Sequence, residues 1–335
     1  MRHFNTLKIG LLLTFSTIMF FSGMQACSAD SGPPATADTA EQKTTPIDEQ
    51  VIAAGPLHGL YVNAGDGTPI ALIVPGSGPT NLNGNSGAGL RTNAYKHLAH
   101  QLAVKGISTV RIDKRGLYSS AAAGDPNAVT LEIYTEDYRN WIDTIKGETG
   151  AKCVYLIGHS EGGLMVSSAA FGRTDVCGLI LVSAVGRPMG EVLREQLKSN
   201  PANLPILKQA FRAIDKLEAG QHVDTKKLHR ALMPLFRDNV QDYLISIFAV
   251  DPAKIAVKAK QKTLIVQGKN DLQVSVKDAE LLHAATKGKL VLLDKVNHVL
   301  KVSPKGRRGN LKTYSKPDLP VADGVINAIA EFMLE

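Results

Sequence analysis

Aromatic residues make up only 5% of this chain, and they do not interleave with its basic residues. No helical segment carries a basic stripe, so the formal net charge of +7 does not point to a nucleic-acid partner. The one local basic cluster, Lys301, Lys305, Arg307 and Arg308, reads as a solvated loop. Beyond the N-terminal segment no apolar run approaches the length of a membrane span, and no internal repeat is visible. The run Pro75-Gly76-Ser77-Gly78-Pro79 lacks a Gly-Lys-Ser/Thr ending and opens no helix at its last glycine, which argues against a P-loop. His97 and His100 share one expected helix, yet no third residue has metal-ligand spacing with them.

What is present begins with an export signal. Arg2, His3 and Lys8 precede the apolar run from Ile9 to Phe21, and small residues follow around Ala26 and Ala29. Met24-Gln25-Ala26-Cys27 resembles a bacterial lipobox in which Cys27 would be lipidated and hold the chain at a membrane surface. It departs from the usual pattern at Met24 and Gln25, and ordinary cleavage near Ala26 or Ala29 is the alternative. We expect residues 1–26 to be a signal peptide and the mature protein to be exported. Residues 27–50, rich in Ala, Thr, Pro and acids, cannot bury enough apolar surface to offset their ordering entropy, so a flexible tether is expected there.

The remainder has the 44% apolar content and the length for a sizeable core. Short β-branched apolar runs at 70–74, 107–112, 154–157, 179–182, 263–266 and 290–293 alternate with amphipathic segments at 93–104, 135–146, 164–171, 276–286 and 323–334. Continuous apolar strands imply burial on both faces, hence a mostly parallel, doubly wound α/β sheet. Residues 57–62 are expected to add an antiparallel edge strand. From 188 to 258 only helical periodicity appears, punctuated by prolines, which we read as a helical cap inserted between core segments 51–187 and 259–335.

Gly158-His159-Ser160-Glu161-Gly162 follows one of these strands and precedes a small-residue helix. A G-x-S-x-G sequence in that setting forms a sharp turn that lifts the serine hydroxyl above the sheet. Serine needs a base, and the base needs an acid to hold its tautomer. Asp271 and His298 follow the next suitable strands in the order Ser, acid, His. Asp294 is a rival acid but precedes the histidine too closely to reach around it, and the His159 ring is expected to pack rather than react. The Glu161 N–H and the Ser77 N–H, with Gly78 next, are the candidate oxyanion donors. Cys153 and Cys177 each sit before strands expected to be neighbours, close enough for a disulfide; closing that loop would stabilise by about 3.5 kcal/mol in the chain-entropy model. Two free thiols are the alternative.

Together these motifs resemble the α/β-hydrolase superfamily, and within it exported bacterial hydrolases with a Pro-Gly-Ser-Gly-Pro oxyanion loop. Asp113-Lys114-Arg115-Gly116, Gly158–Gly163, Gly268–Asp271 and Asn297-His298 carry the resemblance over roughly residues 57–335. Where such proteins often have Asp-Arg-Asp-Gly after the loop, this chain reads Asn81-Leu82-Asn83-Gly84, which removes the ionic groups. The resemblance implies a serine esterase (class EC 3.1) acting on a small-molecule acyl ester through an acyl-enzyme, with no metal or organic cofactor. Thioesterase, amidase or aminopeptidase-like, and acyltransferase chemistry would use the same residues. A non-catalytic binding protein on the same scaffold is the remaining alternative. The cap side chains are expected to shape the substrate pocket.

Overall fold

The computed structural model describes residues 47–87 and 89–335; the expected signal peptide, Cys27 and most of the tether lie outside the described residues. Among the described residues, eight strands form one sheet: β1 (Gln50–Ala54), β2 (Leu57–Val62), β3 (Ile70–Val74), β4 (Ser108–Ile112), β5 (Val154–His159), β6 (Val176–Val182), β7 (Thr263–Gly268) and β8 (Lys289–Leu293). Their spatial order is β1-β2-β4-β3-β5-β6-β7-β8. β1 and β2 are antiparallel to their neighbours, and every other pairing is parallel.

The apolar runs are strands because helices cover both faces. In β3, Ile70, Leu72 and Val74 enter one core and Ala71 and Ile73 the other, as the two-residue period of a strand requires. The first core also takes the cap and the fully buried Trp141; the second is closed by helices Ala94–Ala103 and Asp323–Leu334.

Four expectations need correcting. β2 is antiparallel but not the edge, because β1 pairs outside it from Gln50 to Ala54. The tether gives way to the fold before residue 50: Glu49 accepts from the buried Arg111 guanidinium and pairs with His100 at 2.5 Å. Within 188–258 the structure is helical, but the last helix, Pro252–Ala259, packs on core helices Gly162–Ala170 and Val276–Thr286 and so belongs to the core layer. Lys301 is fully buried rather than solvated; its Nζ donates to the carbonyls of Thr92 (2.6 Å) and Lys316 (2.5 Å). Cys153 and Cys177 are disulfide-bonded, with Cα atoms 5.3 Å apart where β5 and β6 begin.

Candidate active site

β5 ends in the elbow. Ser160 has φ 57°, a left-handed conformation that costs a non-glycine residue energy and persists only where its surroundings hold it. Here the Ser160 N–H donates to Val182 O (3.0 Å) and Gly163 N–H donates to Ser160 O (3.0 Å). A Cβ on Gly158 would lie 2.4 Å from Gly162 O, and one on Gly162 would lie 2.6 Å from Val74 O. The turn therefore closes only with glycine at both flanks, which is the steric content of the motif.

Ser160 and His298 line one cleft of about 480 Å³, with Ser77, Tyr95, Gln273 and Val299 among its walls. His298 Nδ1–H donates to Asp271 Oδ2 at 2.8 Å, and both side chains are almost wholly buried. Asp271 Oδ1 accepts the N–H groups of Gln273 (2.8 Å) and Val274 (3.0 Å). Burial alone would raise the Asp271 pKa, but His298 and these donors outweigh it and hold the carboxyl below its ordinary range. Asp294 stands elsewhere, exposed and paired with Lys269 at 2.7 Å.

Asparagines and a threonine hold the two loops that carry Asp271 and His298. Asn297 Nδ2 donates to Asn310 Oδ1 (3.1 Å) and Thr313 Oγ1 (2.7 Å), while Asn310 Nδ2 donates to Asn270 O (2.6 Å). His159 works as packing in the same region. Its Nε2–H donates to the His298 carbonyl (2.8 Å), so a neutral ring has Nδ1 free to accept from Tyr95 O–H (2.8 Å). Burial first, then the neighbouring His298, pull the His159 pKa down to about 3, which keeps the ring neutral. Tyr95 Oη in turn accepts Gly76 N–H (3.3 Å), linking the elbow to the loop after β3.

That loop is pressed against the nucleophile: a Cβ on Gly76 would meet Ser160 Cβ at 2.9 Å. Its neighbour Ser77 donates Oγ–H to Glu161 Oε2 (2.7 Å), and cap residue Tyr243 donates to Glu161 Oε1. Lys114, buried behind the loop, donates to Gly76 O (2.8 Å). The rest of its motif clamps neighbouring loops. Asp113 accepts Leu82 N–H (2.7 Å) and Ser119 Oγ–H (2.6 Å), and Arg115 pairs with Asp137. Asn83 keeps a role despite its lost charge, since its Oδ1 accepts from Arg111. His97 donates Nε2–H to Pro317 O while His100 faces Glu49, so the two histidines serve different contacts.

Among the described residues, none that lines the Ser160 cleft comes from the cap; the segment from Thr80 to Tyr95 supplies that wall instead. The cap, through Val240 and Tyr243, lines a second pocket of about 340 Å³ with Gly78, Lys114 and Tyr134. Sequence reasoning missed Lys114, Tyr95 and Tyr243 as parts of this assembly. Lys114 lay inside a recognised motif, whereas nothing local distinguishes Tyr243 from its helical neighbours.

Comparison with known proteins agrees with this fold. The family model for serine aminopeptidase, S33, matches residues 84–238. Esterase EstD of Thermotoga maritima is 26% identical over 298 residues, spanning 86% of this chain and 68% of that protein. The chain has the α/β-hydrolase fold. The family match and the likeness to an esterase together identify it as a serine hydrolase. Among solved structures, ferulic-acid-bound Est1E from Butyrivibrio proteoclasticus superposes on the hydrolase with a TM-score of 0.53 at 19% identity, covering 85% of this chain and 98% of that one. A lipase-esterase related protein from Clostridium acetobutylicum gives 0.51 at 18% identity, covering 83% and 100%. At these identities the likeness is one of fold.

Proposed function

We propose that the hydrolase cleaves carboxylic esters of small molecules through an acyl-enzyme. Ser160 Oγ attacks the carbonyl, and His298 Nε2 takes its proton. Asp271 holds His298 with the proton on Nδ1, leaving Nε2 to act as base. The backbone N–H groups of Ser77 and Glu161 stabilise the tetrahedral oxyanion. His298 then returns the proton to the departing alkoxide, and water repeats the sequence on the acyl-enzyme. The observation that carries the reading is the 2.8 Å Asp271–His298 bond in the cleft that also holds Ser160 at a left-handed turn. The likeness to an esterase of Thermotoga maritima supports ester over amide or thioester substrates.

Turnover of nitrophenyl esters of increasing chain length tests the reading and ranks acyl groups. Ser160→Ala should fold normally and lose about 10⁴–10⁶ in kcat, because members of such a unit fail together. Hydrolysis near the wild-type rate by the folded variant would end the assignment.

The same enzyme is proposed to be exported and anchored by a lipid on Cys27, a reading supported by the basic, apolar and small-residue order of its first 27 residues. Metabolic palmitate labelling should mark the wild type and not Cys27→Ser. Release of both as unlabelled soluble protein would remove the anchor.

A further inference from the structure

The peptide unit between Gly76 and Ser77 is gripped from behind, and the grip is ionic. Its carbonyl, Gly76 O, accepts from Lys114 Nζ at 2.8 Å. In a trans peptide the C=O and N–H point in opposite directions. A carbonyl held toward Lys114 therefore sends the Ser77 N–H the other way. Gly76 and Ser77 both line the Ser160 cleft, while Lys114 lines the cap pocket on the other side of the loop. The Ser77 side chain is held separately by Glu161, whose other carboxylate oxygen takes the hydroxyl of Tyr243 from the cap helix Gln241–Phe248.

A carboxylate one residue from the nucleophile is a poor neighbour for a developing oxyanion unless its charge is compensated. Lys114 supplies that compensation. It is buried, and the charge it feels most is that of Glu161. We propose that Lys114 and Glu161 are positioning residues that aim the Ser77 N–H at the oxyanion, with Tyr243 joining that aim to the position of the cap. The proposal rests on the acyl-enzyme reading above and goes beyond it by assigning side chains that touch no substrate.

The groups facing Lys114 are few. They are the Glu161 carboxylate from the elbow, the Tyr134 ring 5.9 Å away on helix Leu131–Thr149, and Tyr243 from the cap; the Arg115–Asp137 pair flanks Tyr134. Desolvation lowers the Lys114 pKa to about 8, and Glu161 partly opposes that. Above that pH the ammonium is lost, and with it the charge-assisted bond to Gly76 O that aims the Ser77 N–H. The hydrolase should therefore show an alkaline decline in kcat belonging to Lys114.

The test uses a short nitrophenyl ester with the full chain. Lys114→Met should lower kcat by roughly 10²–10³, the scale of a lost oxyanion donor, with KM little changed and no alkaline decline remaining. Glu161→Gln keeps the Ser77 contact and the backbone donor but removes the counter-charge. Its alkaline decline should move to lower pH, because an unpaired buried ammonium gives up its proton more readily. Folded Lys114→Met turning over within threefold of wild type would overturn the proposal, as would a Glu161→Gln profile that stays in place. If Lys114→Met does not fold, the Glu161→Gln profile decides alone. Ser160→Ala separates the two levels: its inactivity alongside an active Lys114→Met keeps the esterase reading and discards only the positioning role.

Discussion

The loops on the two sides of Ser160 are held by different chemistry. On the oxyanion side charged groups do the work: Lys114 on Gly76, Asp113 on Leu82 and Ser119, Glu161 on Ser77, and Arg111 with Glu49 behind Asn83. On the acid–base side the braces around Asp271 and His298 are neutral amides and hydroxyls, namely Asn270, Asn297, Asn310, Thr313 and Gln267. Lys301 and His159 are the exceptions there: the Lys301 Nζ bonds to carbonyls rather than to an acid, and burial keeps the His159 ring on the His298 carbonyl neutral. The difference follows from what each side must do. A base that cycles between neutral and charged is best surrounded by groups that do not titrate, so that its one carboxylate partner sets its behaviour. A loop that only presents N–H groups can be fixed by ions, provided those ions balance.

The comparison can be broken first at Asp271. In Asp271→Asn the amide oxygen should turn to the Gln273 and Val274 N–H groups that Oδ1 now accepts, which points the NH₂ at His298. Nδ1 must then accept, the proton moves to Nε2, and the base is in the wrong tautomer. A fall in kcat of about 10⁴ with an unchanged thermal midpoint is expected. Activity within tenfold of wild type would pass the acid's role to another carboxylate, Asp294 being the first to examine.

A smaller effect probes the neutral side. Asn297→Ala leaves Asn310 Oδ1 and Lys301 N–H without the buried partner they have now, and Thr313 Oγ1 with only its bond to Asn310 O. Denaturant unfolding should show a loss of about 1–3 kcal/mol, with no dependence on salt. A loss that shrinks markedly in 1 M salt would mean that this side too is held by charge.

The smallest effect belongs to the ionic side. Arg111 is fully buried and Glu49 about one-quarter exposed, so Glu49→Gln should cost about 1–2 kcal/mol, between the values of exposed and buried pairs. Adding Asn83→Asp restores a carboxylate to the same guanidinium and should recover most of that loss. If the double variant is no more stable than Glu49→Gln, position 83 is not electrically equivalent to position 49.

The elbow, seven of the eight strands and the order Ser160, Asp271, His298 were legible along the chain. Each rests on local causes: a turn too tight for a Cβ, or continuous apolar runs that only a twice-covered strand can bury. β1 was missed at the junction of the expected tether and core at residue 50, because an edge strand buries one face and Gln50 and Val51 stay exposed. Lys301 read as solvated because charge alone does not reveal the two carbonyls waiting 209 and 15 residues away. The cap was visible as helical periodicity, but periodicity gives the spacing of a face and not its destination; the cleft wall came from residues 80–95 instead.

What the sequence determined by itself was therefore the scaffold and the nucleophile's turn, since sterics and burial act between residues near in the chain or alike along a strand. Tertiary structure alone decided which loops meet at Ser160. Lys114, Tyr243 and Glu161 gather around the Gly76–Ser77 loop from three separate segments, through bonds that span 38 to 84 positions of sequence. Their contacts are set by how the layers stack, and no short-range pattern records that.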